Sequence, residues 1–280
     1  MSDLSRPAAA PLPALPSAPL PVPLRVVVLT CSADGWDSAA ALAAAPGVEV
    51  AAVVQTPLAG PRSLRARLRS VYRYHGAAGV LRIPLNRLRA RRDAAESARR
   101  APPDVPLLRF GNFHDADCLD ALRALAPDLA VVDGTYVLRE PVFLLPRFGS
   151  INLHCGKLPD YRGAPPAFWE LYNGEREVGV TVHRVTAKLD EGPILQQELF
   201  PLDPAPAGDP VEYVGRVWRD VLRPNGLRML AECAARVAAG TSEPRPQPHV
   251  NAPAYRRPDL RTARELRARV RSRRAAPSGR

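Results

Sequence analysis

The chain has 280 residues, 46% of them hydrophobic, and a formal net charge of +11, which is enough apolar material for a real core and enough length for one large or two small domains. No stretch approaches the roughly 18 to 20 apolar residues of a membrane-spanning helix, and the start lacks the basic cluster and unbroken apolar run of a signal peptide. Cys31, Cys118, Cys155 and Cys233 lie far apart with no C-x-x-C pair, so neither a disulfide framework nor a metal site is expected, and a reduced, cytoplasmic setting is.

In chain order, residues 1–23 are rich in proline and alanine and read as an extended, disordered lead. Leu24 to Thr30, LRVVVLT, reads as a buried strand, followed by an alanine-rich helix from Trp36 to Ala45 and a second buried strand from Val48 to Val54. Strand, helix and strand of this length make a βαβ unit and so a parallel sheet. The first turn, Cys31 to Gly35, contains no G-x-G-x-x-G, which removes the usual signal for NAD or FAD.

Residues 61–100 break this rhythm. They hold twelve arginines against Asp93 and Glu96, with apolar residues at helical intervals, and read as a basic helical insertion. Such a surface suits an anionic partner (nucleic acid, an anionic membrane or an acidic carrier protein) and is equally the pattern of a solvated face. The α/β pattern resumes with a short strand at Pro106 to Arg109, a helix from Asp115 to Leu125 with Asp115 as its N-cap, a strand at Leu129 to Val132 and a short helix from Arg139 to Leu145.

The stretch from Gly149 to Leu195 carries the chemistry. Ser150 to His154 alternates faces as a strand does, so Asn152 and His154 project from the same face. Pro159, Gly163, Pro165 and Pro166 then make a fixed loop, the AFWELY run follows at helical spacing, and Val178 to Val185 is a further strand ending in a turn with Asp190, Glu191 and Gly192. Taken singly, Asn152 suits a strand-end polar residue and His154 a packed core histidine; Asp160 and Glu191 suit turn caps, and His75, His114 and His183 suit structural roles. The Cys155 side chain falls on the opposite strand face from His154, which argues against a nucleophilic thiol.

Asn152 and His154 written N-x-H, the loop Leu158-Pro159-Asp160-Tyr161-Arg162-Gly163 and the turn Leu189-Asp190-Glu191-Gly192-Pro193-Ile194 together resemble the folate-dependent formyltransferase family. That family includes methionyl-tRNA formyltransferases, glycinamide ribonucleotide formyltransferases and amino-sugar N-formyltransferases. The resemblance implies a Rossmann-like fold, a mostly parallel twisted sheet with helices on both faces, and 10-formyltetrahydrofolate as formyl donor without a metal. It implies Asn152, His154 and Asp190 as catalytic residues. It places the donor against the strand-exit loop with Gly134, Tyr136, Val137 and Leu138, and against Gly156, Lys157, Leu158 and Pro159. These residue types suit the chemistry, because formyl transfer passes through an oxyanion that needs preplaced hydrogen-bond donors and an amine that must lose a proton.

The resemblance sets a catalytic domain at 24–203, a C-terminal helix at 204–240 packed on it, and a proline- and arginine-rich tail at 241–280. Many relatives have Ser-Leu-Leu-Pro where this chain has Gly156-Lys157-Leu158-Pro159. The 40 or so residues after the last helix are too few for the tRNA-holding domain of methionyl-tRNA formyltransferases. The expected acceptor is therefore a small-molecule amine: an amino sugar, a sugar nucleotide or a natural-product amine. The alternatives are formylation of methionyl-tRNA, hydrolysis of formylfolate, and a non-catalytic basic binding module on the same scaffold.

Overall fold

Val, Leu and Ala run almost without interruption through the first strands, and apolar runs of that kind are stable only when both faces of a sheet are covered. The computed structural model describes residues 10–32, 35–57, 104–163, 165–249 and 254–276, with isolated positions between 58 and 103. The expected insertion at 61–100 lies outside the described residues apart from those isolated positions. The strands are β1 (Leu24–Thr30), β2 (Val48–Gln55), β3 (Leu107–Arg109), β4 (Leu129–Asp133), β5 (Ser150–His154), β6 (Glu177–Arg184) and β7 (Ile194–Pro201). They form one sheet in the order β3-β2-β1-β4-β5-β6-β7. The first five are parallel, and β6 and β7 continue antiparallel.

Alternate residues of each strand serve two separate cores. Val26 and Val28 of β1, Val131 of β4 and Ile151 of β5 pack with helices α1 (Gly35–Ala43) and α6 (Arg223–Ala238). Val27, Leu29, Ala130 and Val132 pack on the other face with α2 (Ala116–Leu125) and α3 (Glu140–Phe143). Helices thus cover both faces, as the Rossmann-like expectation requires. The strand order turns back between β1 and β4, and open α/β sheets bind ligands beyond the strand ends at such a reversal.

The C-terminal helical stretch is α5 (Pro210–Val217), a π-turn over Trp218–Leu222, and then α6. Pro224 explains the π-turn. With no N–H it cannot donate to the carbonyl four residues earlier, and the Arg223 N–H reaches the Trp218 carbonyl across a wider ring. Helix ends differ by a residue or two from those expected: α1 ends at Ala43 rather than Ala45, and α3 is shorter than Arg139 to Leu145. Asp115 sits at the N-cap of α2, but its side chain makes no capping hydrogen bond.

The described residues toward both ends of the chain pack on the domain, against what their composition suggests. In the expected disordered lead, residues 10–23 are laid along the domain: the Leu20 N–H donates to the Ala238 carbonyl at 2.9 Å, and Leu15 and Leu20 pack against the core. The buried Arg184 guanidinium donates to the Pro13 carbonyl at 2.9 Å. In the expected tail, α7 (Leu260–Ala275) forms with Asp259 as a true N-cap, its carboxylate accepting from the Thr262 N–H at 2.9 Å. Leu266 and Val270, four apart on one stripe, are fully buried. Arg273 donates to the Leu171 and Tyr172 carbonyls, each at 2.7 Å. These carbonyls close α4 (Phe168–Asn173), and a cation there also meets the negative end of the helix. Among the described residues no helix is long and apolar enough to cross a membrane.

Candidate functional site

The carboxyl ends of β4 and β5 open onto a cavity of about 470 Å³. Ile151 and Leu153 of β5 face one core, so Asn152 and His154 face the other way. On β6 the alternation is the same: Val178, Val180 and Val182 face that core, and Thr181 and His183 share the side with Asn152 and His154. Antiparallel pairing sets Asn152 opposite His183 and His154 opposite Thr181.

These pairings fix the protonation of the site. The His183 Nδ1 lies 2.8 Å from the Arg184 carbonyl, which can only accept, so Nδ1 carries the proton and Nε2 carries the lone pair. Asn152 Nδ2, at 3.1 Å, then donates to that Nε2, which orients the carboxamide with its second N–H available to another acceptor. Burial holds the His183 imidazole below its ordinary value, against the opposing pull of the Asp190 carboxylate. The His154 Nε2 lies 2.8 Å from the Tyr161 carbonyl and must donate to it. The Nδ1 of the same ring faces Asp190 Oδ2 at 3.7 Å. Nε2 is thereby occupied by the Tyr161 carbonyl, and Nδ1 is the ring nitrogen turned toward Asp190.

Asp190 stands between the two histidines, its Oδ1 3.7 Å from His183 Nε2. It adopts φ = 54°, a left-handed conformation that non-glycine residues rarely take. The Gly163 N–H donates to its Oδ2 at 2.8 Å, which ties the Asp190 turn to the loop of residues 158–163. Gly156 lies where any side chain would collide, because a Cβ there would be 2.4 Å from His154 Nε2 and 2.7 Å from the Tyr161 carbonyl oxygen. The turn after Asp190 doubles back so tightly that a Cβ at Gly192 would sit 1.8 Å from the Arg184 carbonyl oxygen. Glu191 pairs with Arg162 rather than capping a turn.

All of Gly134, Tyr136, Val137 and Leu138 line the cavity, together with Asn152, His154 and Asp190. Their loop is braced by the Phe113 N–H to the Tyr136 hydroxyl at 2.7 Å and by the Arg139 N–H to His114 Nε2 at 3.0 Å. Below it, Asp133 accepts from Ser38 at 2.6 Å and Arg223 at 2.9 Å, joining β4 to α1 and α6. Gly156, Lys157, Leu158 and Pro159 do not line this cavity. Leu158 is buried and its carbonyl accepts from Gln197 at 2.8 Å. Lys157 is held by its backbone against the buried Glu170, whose carboxyl burial pushes up to about 7. Pro159 lies on a separate cavity of about 180 Å³. Physically, these residues shape the loop rather than the cavity.

The structure adds residues that the sequence analysis sets aside. His183 belongs to the site and is not a bystander. Tyr255, Arg256 and Arg257, from the expected tail, and Lys188 line the cavity too. His75 lies outside the described residues. Cys155 faces away as expected, and burial pushes its thiol up to about 12, which leaves it no useful thiolate. Among the described residues no three ligating side chains come together as a metal site.

The lowered His183 pKa makes a prediction about stability. The native imidazole is depressed below the 6.5 of a free one, so as pH falls through about 6.5 the unfolded chain takes up a proton that the native chain refuses. That difference drains native stability by up to about 1.4 kcal/mol per pH unit until the folded pKa is reached. Urea midpoints of wild type and His183→Gln, measured from pH 7 to 5, are expected to show a steeper acid decline in wild type; parallel curves would contradict this assignment.

The carboxyl edge of the α/β sheet thus gathers a carboxamide, an imidazole and a carboxylate, groups able to donate hydrogen bonds to a developing oxyanion and to move a proton. A formyl transferase family model matches residues 82–216. The methionyl-tRNA formyltransferase of Parabacteroides distasonis is 36% identical over 143 residues, covering 51% of this chain and 42% of that protein. The one from Acidothermus cellulolyticus is 33% identical over 195 residues, covering 69% and 58%. Among solved structures, glycinamide ribonucleotide transformylase 1 from Symbiobacterium toebii has a TM-score of 0.54 at 22% identity, covering 81% of this chain and 95% of that one. A sugar N-formyltransferase from Shewanella sp. has a TM-score of 0.54 at 13% identity, covering 88% and 87%. At those identities the structural likeness speaks for the fold. The match over residues 82–216 and the likeness to these relatives support placing the chain among the folate-dependent formyltransferases. It spans between 31% and 58% of the length of the first curated relatives it matches.

Proposed function

We propose that the chain transfers the formyl group of 10-formyltetrahydrofolate to an amine. The observation that carries this reading is the meeting of Asn152, His154 and Asp190, drawn from two separate segments, at the mouth of one ligand-sized cavity. The donor fits the residues present: Val137 and Leu189, 64% and 42% exposed, offer apolar surface along the cavity beside the loop from Gly134 to Leu138. Exposed apolar side chains grouped in a cleft suit a flat, partly apolar ring.

The donor supplies an activated formyl carbon, and the residues do the rest. Asn152 presents its second amide proton to the oxygen that gains charge as the amine adds, and a protonated His154 Nδ1 does the same from the other side. Asp190 stabilises the imidazolium and, through water, accepts the proton the amine loses as it adds; the bond from the formyl carbon to the donor nitrogen then breaks, that nitrogen takes a proton from His154 Nδ1 and departs as the free amine of tetrahydrofolate, and the proton held by Asp190 restores His154. His183 holds the Asn152 carboxamide in the donating orientation.

For the acceptor, likeness to methionyl-tRNA formyltransferases favours the amine of an aminoacyl-tRNA over the small amine expected from the sequence, since the sugar N-formyltransferase likeness is one of fold. The cationic side chains Lys188, Arg256 and Arg257 along the cavity are compatible with a phosphate-bearing acceptor of either kind. Salt separates the two. Phosphate contacts along a nucleic acid release counterions, so raising salt from about 50 to 200 mM should weaken a tRNA substrate by orders of magnitude and a small amine far less. Initial rates with methionyl-tRNA and with amino sugars across that range decide it. Turnover on amino sugars alone would return the reading to a small acceptor, and turnover without any amine would make water the acceptor.

A further inference from the structure

The polar segment after α6 grips the catalytic turn from outside. Arg245 exchanges two backbone hydrogen bonds with Ile194, at 2.7 and 2.8 Å, where the turn re-enters β7. Two residues on, the Gln247 amide nitrogen donates to the Asp190 carbonyl at 2.9 Å and to the Gly192 carbonyl at 2.7 Å. Further along, the Tyr255 N–H donates to the Arg162 carbonyl at 2.8 Å and its backbone bridges Gly163. Its ring stacks on Tyr161 and Trp169, with centroids 5.5 and 5.0 Å apart. The same stretch thus holds the Asp190 turn at one end and the loop of residues 158–163 at the other. Those two are joined in turn by the bond from the Gly163 N–H to the Asp190 carboxylate.

We infer that Gln247 is a positioning residue for formyl transfer, holding Asp190 against His154 through its backbone. This rests on the proposed role of Asp190. A non-glycine residue at positive φ is strained and persists only where neighbours over-determine it. One carboxamide supplies both protons to the carbonyls on either side of Glu191 and so spans the strained bend. No other side-chain type of that length offers two protons from one neutral nitrogen. Gln247 does not itself line the cavity, and its two hydrogen bonds go to the backbone carbonyls of Asp190 and Gly192, so its effect passes through the backbone of Asp190.

The test uses the full chain with Gln247→Met, near in shape but without the donor, and Gln247→Glu, which turns oxygens toward both carbonyls. Steady-state rates are paired with amide hydrogen exchange across residues 189–192. The expected result is a fall in kcat of about tenfold or more with KM for the donor held within about twofold, because the lost bonds act on the reacting geometry and not on the donor's contacts. Exchange in the turn should quicken by about tenfold while that of β1 and β4 stays unchanged. Wild-type kcat together with wild-type exchange in both variants would overturn the inference, and Gln247→Glu decides if Gln247→Met does not fold. Faster exchange in a protein whose wild type transfers formyl to no acceptor would uphold the clamp and sink the proposed reaction instead.

Discussion

Asn152→Ala is expected to lower formyl transfer by about a hundredfold or more, the usual cost of removing one oxyanion donor, while KM for the donor changes little. The carboxamide is partly buried and oriented by His183 Nε2 at 3.1 Å, so its second proton is aimed before the substrate arrives and no reorganisation accompanies the reaction. His154→Ala should cost at least as much, since it removes the ring that meets Asp190 at 3.7 Å and the Tyr161 carbonyl at 2.8 Å. Steady-state kinetics of each variant, with unfolding midpoints as a control for folding, check both. A wild-type kcat in Asn152→Ala would remove the mechanism.

Gly192→Ala should damage both stability and turnover. The new methyl would fall 1.8 Å from the Arg184 carbonyl oxygen and 2.7 Å from its carbon, and backbone cannot rotate away as a side chain does. Either the turn or the end of β6 has to move, at a cost of about 1 to 3 kcal/mol for overpacking. That same Arg184 oxygen accepts the His183 Nδ1 proton at 2.8 Å, and the Gly192 carbonyl accepts from Gln247 at 2.7 Å. A shift therefore disturbs the tautomer that orients Asn152 and the clamp on Asp190 together, and turnover should fall by about a hundredfold or more, as when an oriented donor is lost. Urea unfolding and transfer rates on the same preparation test this, and unchanged values for both would mean the turn is looser than the structure has it.

What could be read from the sequence follows from how local each signal is. The buried strands and the shared face of Asn152 and His154 rest on period-two spacing within five to eight residues, and they appear where expected. Asp190 came from the resemblance, because its approach to His154 joins separate segments. His183 reads as structural in sequence for the same reason: only pairing of β6 with β5 shows that it lies opposite Asn152. A signal was present in Thr181 and His183, which alternate with Val180 and Val182 and mark a polar face on an otherwise apolar strand. Residues 241–280 read as a tail because Gln247 and Tyr255 bind loop backbone, which imposes no periodicity. Helix α7 was hidden by its arginines, with Leu266 and Val270 as its fully buried stripe.

The central claim is most directly tested by following the absorbance of 10-formyltetrahydrofolate with wild type and Asn152→Ala, in the presence and absence of methionyl-tRNA and a panel of amino sugars. Loss of the formyl group that depends on an amine acceptor and falls about a hundredfold or more in the variant is the predicted result. Formyl loss that ignores the acceptor, or that proceeds equally in the variant, would contradict transfer at this site.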